Sequence, residues 1–506
     1  LLQPPSRPGA LAAGLLVLCV SAARAQEAQD FAFAREHVLG TNLRLVVRCT
    51  KRESAERAEA RALAEIARLE ALLSRHAESS ELRRWQANGG AEQELSADLL
   101  AVLRASDRWE QASDGAFNPA VQELALLWER AAANGKPPGL KERTELKKRL
   151  APPHWEIAAS GSRARLLSAN ALTLDGLAKG YIVDRALEQV LHGAGADGIT
   201  GALLEIGGDL AVLGAMESEV AIADPQHKAD NEAPAFRVRV KGRAVATSGD
   251  YQRGFQIGER WYSHIFDPGK GKPAEDVRSA TAIAPNATDA DALATILCVL
   301  DVPRGLELVR SLEGFEAALL DKEGTWHQTS GFRALRSDVP PPGSAAGDAT
   351  WAERFELALE FELVRGSGRG YRRPYVAAWI EDESGAAVRT LCLWIEQRQW
   401  LRDLRRWTKL DRTRVAAGGA AIVDAISRAT RAPGKYELLW DGKDDQGSAL
   451  PGGTYHVCLE VVREHGSYQI LRKSFTTAGA PFELELGSNE EVGSAIARYR
   501  ARGSLR

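Results

Sequence analysis

Cysteine is scarce in this chain: five residues, at 19, 49, 298, 392 and 458, stand far apart and in no CxxC or CxxCH spacing. Zinc-ribbon, thioredoxin-like and c-type haem readings fall with that spacing, because each needs closely set thiols. Cys392 and Cys458 remain a pair that an oxidising compartment could join. Net charge is also small, -3 from 65 basic and 68 acidic residues, so no basic footprint marks a nucleic-acid partner. With 44% hydrophobic residues the chain is no disordered polymer either. Long apolar runs are missing. The only membrane-like one, Leu11 to Val20, is about half of the ~20 residues a spanning helix needs, so no membrane span is expected in the mature chain.

That short run lies after Arg7 and before Ala23-Arg24-Ala25, a small-x-small cleavage site followed by Gln26. Residues 1–25 therefore read as a secretory signal peptide, and the mature protein as exported to the periplasm. Leu18, where a lipobox wants Gly or Ala, argues against lipidation at Cys19. The 506 residues amount to roughly three domains at about 150 residues each. Periodicity predicts a strand at 43–47, amphipathic helices over 54–73 and 97–111, and strand, turn, helix, strand, Gly-Gly-Asp turn, strand over 171–223. Short strands follow over 236–284, then a final helix from Asp289 to about Leu300. This mixture with hairpins reads as α+β, a mixed sheet and helix domain over 26–335. A Pro/Gly/Ser-rich linker over 336–350 separates it from strands at 355–364, 375–380, 436–440 and 454–462, a small all-β, Ig-like sandwich over 351–480. Seven Arg/Lys and two Trp between Gln397 and Arg414 read as a solvated surface with snorkelling arginines rather than a dock for an acidic partner. Residues 481–506 read as a charged tail that frays or forms a short helix.

Common catalytic signatures are absent: there is no Walker A, HExxH or GxSxG. Gly193-Ala-Gly195-Ala-Asp-Gly198 matches GxGxxG but follows a predicted helix, where a dinucleotide fingerprint must follow a strand. More informative is Leu174-Asp175-Gly176-Leu177-Ala178-Lys179-Gly180-Tyr181, read as a strand passing through a tight turn into a helix. Its amides, dipole and Lys179 suit a phosphate; an Asp N-cap with packing glycines is the structural alternative. In Thr288-Asp289-Ala290-Asp291-Ala292-Leu293-Ala294-Thr295, Thr288 reads as an N-cap and Asp291 as part of a capping box. Asp291 and Thr295 are also an i, i+4 pair, hard oxygen donors on one helical face that suit Mg²⁺ with substrate phosphate and water. His264, in Tyr262-Ser263-His264-Ile265-Phe266-Asp267-Pro268, can take a proton near neutral pH, although a lone hairpin histidine is more often structural.

Taken in series, Leu39-Gly40-Thr41, Ser74-Arg75-His76, Asp114 to Pro119, Asp175 to Tyr181 with Asp184, Glu205-Ile-Gly-Gly-Asp209, Ala246 to Tyr251, Tyr262 to Pro268 and Asp291 to Thr295 resemble the ApbE-type family over about residues 36 to 330. These are FAD:protein FMN transferases. The resemblance implies cleavage of the FAD pyrophosphate, transfer of FMN to a threonine of an acceptor flavoprotein, and release of AMP. The acceptor would be a redox-pump subunit or another exported FMN-binding protein. It implies Mg²⁺ at Asp291, Thr295 and the backbone carbonyls of Gly176 and Ala294, with Lys179 facing the FAD phosphates. It further implies FAD contacts at Leu39, His76, Ala116, Phe117, Asn118, Thr173 and Ile265, and His264 or Asp291 as the base. Leu39, His76, Asn118 and Thr173 depart from the family's usual Met, aromatic, Asp and Asp, and Asp175, in place of a usual Gly, could add a carboxylate beside the metal. Two other readings stay open: an Mg²⁺-dependent FAD pyrophosphatase releasing FMN and AMP, and a non-catalytic FAD-binding scaffold.

Arg373 to Ile380 and Trp440 to Gly447 with Pro451-x-Gly453-Thr-Tyr455 resemble a periplasmic domain of unknown function sometimes found with these transferases. A module that docks or presents the acceptor is expected there, whose deletion (345–506) spares FAD binding and lowers transfer.

Overall fold

The computed structural model describes residues 28–192, 194–226, 234–249, 254–258, 260–337, 355–365, 372–395, 398–416, 423, 427–428, 430–463, 468–477 and 480–501. The expected signal peptide, most of the linker, Gly193, Asp250 and Tyr251 lie outside them. One sheet organises the first half, with strands β1 (Gln29–Val38), β2 (Thr41–Cys49), β3 (Gly201–Ile206), β4 (Asp209–Gly214), β5 (Arg243–Gly249), β6 (Val277–Ala284), β7 (Glu316–Asp321) and β8 (Trp326–Gln328) in that spatial order. Every neighbouring pair in it is antiparallel.

Alternation along β2 sends Leu43, Leu45 and Val47 to one face and Val46 to the other, because successive strand side chains point to opposite faces. The first face is covered by α1 (Arg52–Leu73), α3 (Ala178–Leu191) and α4 (Ala287–Val299), with α2 (Ala97–Ala112) packed on α1. Ala55, Ala58, Ala62, Ile66, Leu69 and Leu73 form the buried stripe of α1 at helical spacing. Each large aliphatic in it contributes about 1.5–3 kcal/mol relative to exposure. The hairpin 218–222/236–240 and the helix Ser330–Leu335 close the opposite face over Val212, Val245 and Ile283.

Several elements differ from expectation. No strand precedes α3, because the backbone N–H of Thr173 donates to Pro119 O and Leu174 O already accepts from Leu177 and Ala178. The α4 helix is followed by two more, Val302–Ser311 and Ser330–Leu335. Strand β1, whose alternation is broken by Arg35, Glu36 and His37, and the helices 81–86, 122–133 and 140–149 had no clear period in the sequence.

The second half is a two-sheet sandwich. One sheet runs β12 (Gly434–Trp440), β9 (Phe355–Leu363), β16 (Val492–Ala501), β15 (Phe482–Gly487); the other runs 427–428, β11 (Ala387–Trp394), β10 (Tyr375–Asp382), β13 (Thr454–Val462), β14 (Tyr468–Thr476). The expected frayed tail is thus two strands, with Val492, Ala495, Ala497 and Tyr499 in the core between the sheets. The basic segment is α5 (Arg405–Ala416), whose Trp407 is buried on the outer face of the five-stranded sheet. Cys392 and Cys458 are free thiols: they flank β10 on either side and point to opposite faces of that sheet.

Candidate functional site

Two helix starts meet at the site. Gly180, in the first turn of α3, lies so close to α4 that a Cβ on it would stand 2.1 Å from Ala287 O and 2.9 Å from the Asp291 Cβ. The helices are locked from both sides. The Asp184 carboxylate of α3 accepts from the N–H groups of Ala287 (2.7 Å) and Thr288 (2.8 Å) and from Thr288 Oγ1 (2.6 Å). In return, Asp291 Oδ2 of α4 accepts from Gly180 N at 3.0 Å. The N-cap of α4 is Asn286, whose side chain accepts from Asp289 N, and not Thr288, whose hydroxyl is taken by Asp184.

At this junction a half-buried lysine and two buried carboxyls form a chain. Lys179 Nζ stands 2.8 Å from Asp209 Oδ2, at the start of β4, with Asp209 only 1% exposed. The Asp291 carboxyl donates to Asp209. Burial, then the neighbouring Asp209 charge, push Asp291 well above the usual carboxylate range. Burial also raises Asp209, against the pull of Lys179. Two buried carboxyls sharing one site each disfavour ionisation of the other, while Lys179 favours the charge on Asp209. One turn on, Thr295 Oγ1 lies 3.4 Å from Ser248 Oγ at the end of β5.

Gly176 sits where a Cβ would press on the Phe117 ring at 3.0 Å and the Thr295 methyl at 3.6 Å. Direct contacts therefore gather Gly176, Phe117 and Thr295, while Asp291, one turn before Thr295, meets Gly180 and Lys179 meets Asp209; Ala294 is fully buried inside α4. The remaining expected residues ride on loops tied to that cluster. His76 is exposed beside Arg75, which pairs with Asp175 at 2.5 Å. Asp175 is thus turned outward to a guanidinium and away from the role of a further metal-side carboxylate. Thr173 accepts from Asp175 N through its hydroxyl at 3.2 Å. Leu39 and Gly40 form the β1–β2 turn, and Thr41 fills the space over Gly207, whose Cβ would meet its methyl at 2.6 Å. Ala116 is half-buried, next to Phe117.

His264, exposed, and Ile265, buried, form a bend between strands 260–263 and 266–267, with Ile265 N donating to Ser263 Oγ at 3.0 Å. This layer packs through Tyr262 on Trp128, 5.0 Å between ring centroids. The Asn118 side chain is spent on the protein itself: Nδ2 donates to Glu110 Oε1 and Leu150 O, both at 2.9 Å, and Oδ1 accepts from Ala120 N. The expected cradle of amides is also reduced, since the N–H groups of Ala178, Gly180 and Tyr181 bond to Leu174, Asp291 and Leu177. Lys179 is left as the cationic group of that turn. Asp209 and Ser248 are site residues that stood inside motifs of the sequence without an individual role assigned to them. Asp209 stood in the Glu205-Ile-Gly-Gly-Asp209 motif, and its signal was a carboxylate directly after a two-glycine turn.

This α+β architecture, with a carboxylate pair and a lysine where two helices start, defines a class. Residues 39–319 match the ApbE family model, and the chain belongs to the ApbE family. Residues 356–494 match a domain of unknown function described as a predicted periplasmic protein. The chain is 32% identical over 310 residues to the FAD:protein FMN transferase of Treponema pallidum, a match spanning 56% of this chain and 83% of the relative. It is 30% identical over 234 residues to the protein of the same name from Klebsiella pneumoniae, spanning 45% of this chain and 70% of the relative. Among solved structures, the ApbE protein of Thermotoga maritima superposes with a TM-score of 0.55 at 28% identity, covering 61% of this chain and all of that one. Apo flavinyl transferase ApbE of Pseudomonas stutzeri gives 0.52 at 25% identity, covering 61% and 97%.

Proposed function

We propose that this chain is an Mg²⁺-dependent FAD:protein FMN transferase of the periplasm, acting on a threonine of an acceptor flavoprotein. The observation that carries the reading is the Lys179–Asp209–Asp291 chain beside Gly176 and Thr295. A buried carboxyl facing a second one, one turn from a hydroxyl, is a donor set suited to Mg²⁺. Among the described residues no cluster of three His, Cys, Asp or Glu could hold a metal. Asp291, Thr295 and the carbonyls of Gly176 and Ala294 would hold Mg²⁺. Bound there, Mg²⁺ supplies charge neutralisation at the pyrophosphate.

Lys179 binds the phosphates as a point charge, oriented by Asp209. Phe117 and Ala116 line the nucleotide, with Thr173, His76, Leu39, Ile265 and the backbone at Asn118 as further contacts. The acceptor threonine oxygen forms a bond to the FMN phosphorus, the P–O bond to AMP breaks, and AMP leaves with the bridging oxygen. The threonine proton passes to His264, which is exposed at its bend, whereas Asp291 is buried and already bonded to Gly180. Exported FMN-binding proteins, such as redox-pump subunits, are the acceptor class that a periplasmic enzyme can reach.

The test is incubation of the full chain with FAD, MgCl₂ and a tagged redox-pump domain bearing a flavinylation threonine, read by in-gel flavin fluorescence and AMP release. Covalent fluorescence that disappears with Asp291→Ala supports the transferase. AMP without labelling supports a pyrophosphatase, and FAD binding with neither product supports a scaffold.

A further inference from the structure

The turn joining β1 to β2 is held in an unusual backbone. His37 (φ 60°) and Leu39 (φ 50°) both occupy the left-handed region, followed by Gly40 (φ 74°), and the strand register shifts between Arg35 and Val38. Residues with a Cβ are disfavoured there, so such a segment persists only where its surroundings fix it, and it marks a place to look for function. Two anchors fix this one. Arg35 Nη2 reaches Glu59 Oε1 of α1 at 2.7 Å. On the other side, the Glu36 carboxylate accepts from Thr430 Oγ1 and, at 3.5 Å, from Arg373 Nη1.

Arg373 and Thr430 stand 337 and 394 positions further along the chain, in the sandwich half. Arg373 Nη1 also donates to Thr430 O at 3.5 Å, so the three residues form one closed group. Two of the three are buried, Thr430 at 4% exposure and the Glu36 side chain at 10%, while the Arg373 side chain keeps 30%. A carboxylate so desolvated is stable only with hydrogen-bonded partners, which makes the sandwich half a structural requirement of the turn. From the turn, contacts lead inward. Thr41 fills the space over Gly207, and two residues on Asp209 meets Lys179.

We infer that the C-terminal domain is a positioning element for the flavin site, gripping Glu36 through Thr430 and Arg373 and so holding Leu39 and Thr41 where FAD seats, a role that rests on the reading of this site as a flavin site. Glu36 and Thr430 are positioning residues that act through the turn. On this account removal of residues 345–506 weakens FAD binding, the reverse of the sequence-based expectation.

The test is FAD titration of the full-length wild type, Glu36→Gln, Thr430→Val, Thr430→Ser and the Glu36→Gln/Thr430→Val double variant, each also melted thermally. Thr430→Val and Glu36→Gln should each raise the Kd for FAD about fivefold or more, the range of an ordinary coupling between sites. Thr430→Ser keeps the hydroxyl and should bind as wild type. The double variant should lose less than the sum of the two single losses, because both substitutions act on the Thr430–Glu36 contact. Wild-type binding with unchanged Kd in both single variants overturns the inference and leaves the flavin site standing, as does a lowered melting temperature with unchanged Kd. Failure of the wild type to bind FAD overturns the site reading and this inference together.

Discussion

Lys179 Nζ lies 2.8 Å from Asp209 Oδ2, an ion pair in which the carboxylate is 1% exposed and the ammonium still reaches solvent. Its meaning comes from the third member. Asp291 shares a hydrogen bond with Asp209, and burial with the adjacent charge raises it well above the usual carboxylate range. A metal cation binding there competes with protons for that carboxyl. The lysine is aimed by its 2.8 Å contact with Asp209.

Removal of either partner should be costly for different reasons. Lys179→Met takes away the phosphate cation, and kcat/KM for AMP release should fall about 10²–10³-fold, as for loss of one preorganised donor. Asp209→Asn keeps the lysine but frees it to wander, and it removes the charge that holds the Asp291 proton in place. Its AMP release should fall about tenfold or more while Asp291 becomes more acidic, which carboxyl-resolved NMR titration reads. Equal activity of Asp209→Asn and wild type would leave the buried chain without a catalytic part.

Gly180 offers a purely steric test. A methyl placed there meets backbone, the Ala287 carbonyl at 2.1 Å, and backbone cannot swing aside as a flexible side chain can. Gly180→Ala should push α3 from α4, break the Gly180 N to Asp291 bond, and destabilise the domain by about 1–3 kcal/mol. Chemical denaturation checks the stability, and Mg²⁺ titration of the folded fraction should show weakened binding. Gly40, where a Cβ would meet nothing within 4 Å, is a useful contrast, because its φ of 74° makes the cost of Ala there conformational.

His264→Ala should separate the two halves of the reaction. The residue belongs to an exposed bend in a layer resting on Trp128 and Tyr262, outside the buried chain, so FAD affinity should change little. Transfer to the acceptor should fall about 10²–10⁴-fold, the range for loss of a general base. Titration of FAD and the in-gel fluorescence assay read the two quantities separately. Unchanged transfer would give the proton to another group.

Much of this was readable from one sequence, and the reasons are local. Asp291 and Thr295 share a helical face by spacing alone, and α1 announces itself through its alanine and leucine stripe. Strands β9, β10 and β13 are dense in buried apolar residues, so their bounds fall within a few residues of expectation. What was lost depends on partners distant in sequence. The cap on α4 comes in part from Asp184, about a hundred residues earlier. Trp407 looked like surface among arginines because the sheet face that buries it is built from strands on either side of it in the chain. The final strands read as a charged tail since their charges fill the solvent side: Arg498 pairs with Glu360 and with Glu483, and Arg500 with Glu356.

Glu381 gives the sandwich a pH dependence whose sign can be worked out. The side chain is fully buried at the end of β10, where it accepts from Trp379 Nε1 at 2.9 Å, from Arg406 at 2.8 Å and from Arg472 at 2.9 Å. Burial works to raise it, but the Trp379 hydrogen bond and the two guanidiniums outweigh that and hold it below the usual glutamate range. A group whose folded pKa is depressed stabilises the fold above its unfolded pKa, about 4.3 for Glu, and loses that contribution as pH falls through the folded value. Glu381→Gln leaves two arginines facing a neutral amide, so it should destabilise the sandwich at pH 7 by about 3 kcal/mol, the scale of a broken buried pair. The difference in unfolding free energy between wild type and this variant should be constant above about pH 5.5 and shrink steadily below pH 4.3. Glu460, which burial raises and which accepts from the Arg406 and Trp407 N–H groups at the start of α5, adds stability on acidification in each protein alike and so cancels in that difference. Denaturation of both proteins across pH 3 to 8 therefore isolates Glu381, and a difference that stays constant or grows on acidification would overturn its lowered pKa.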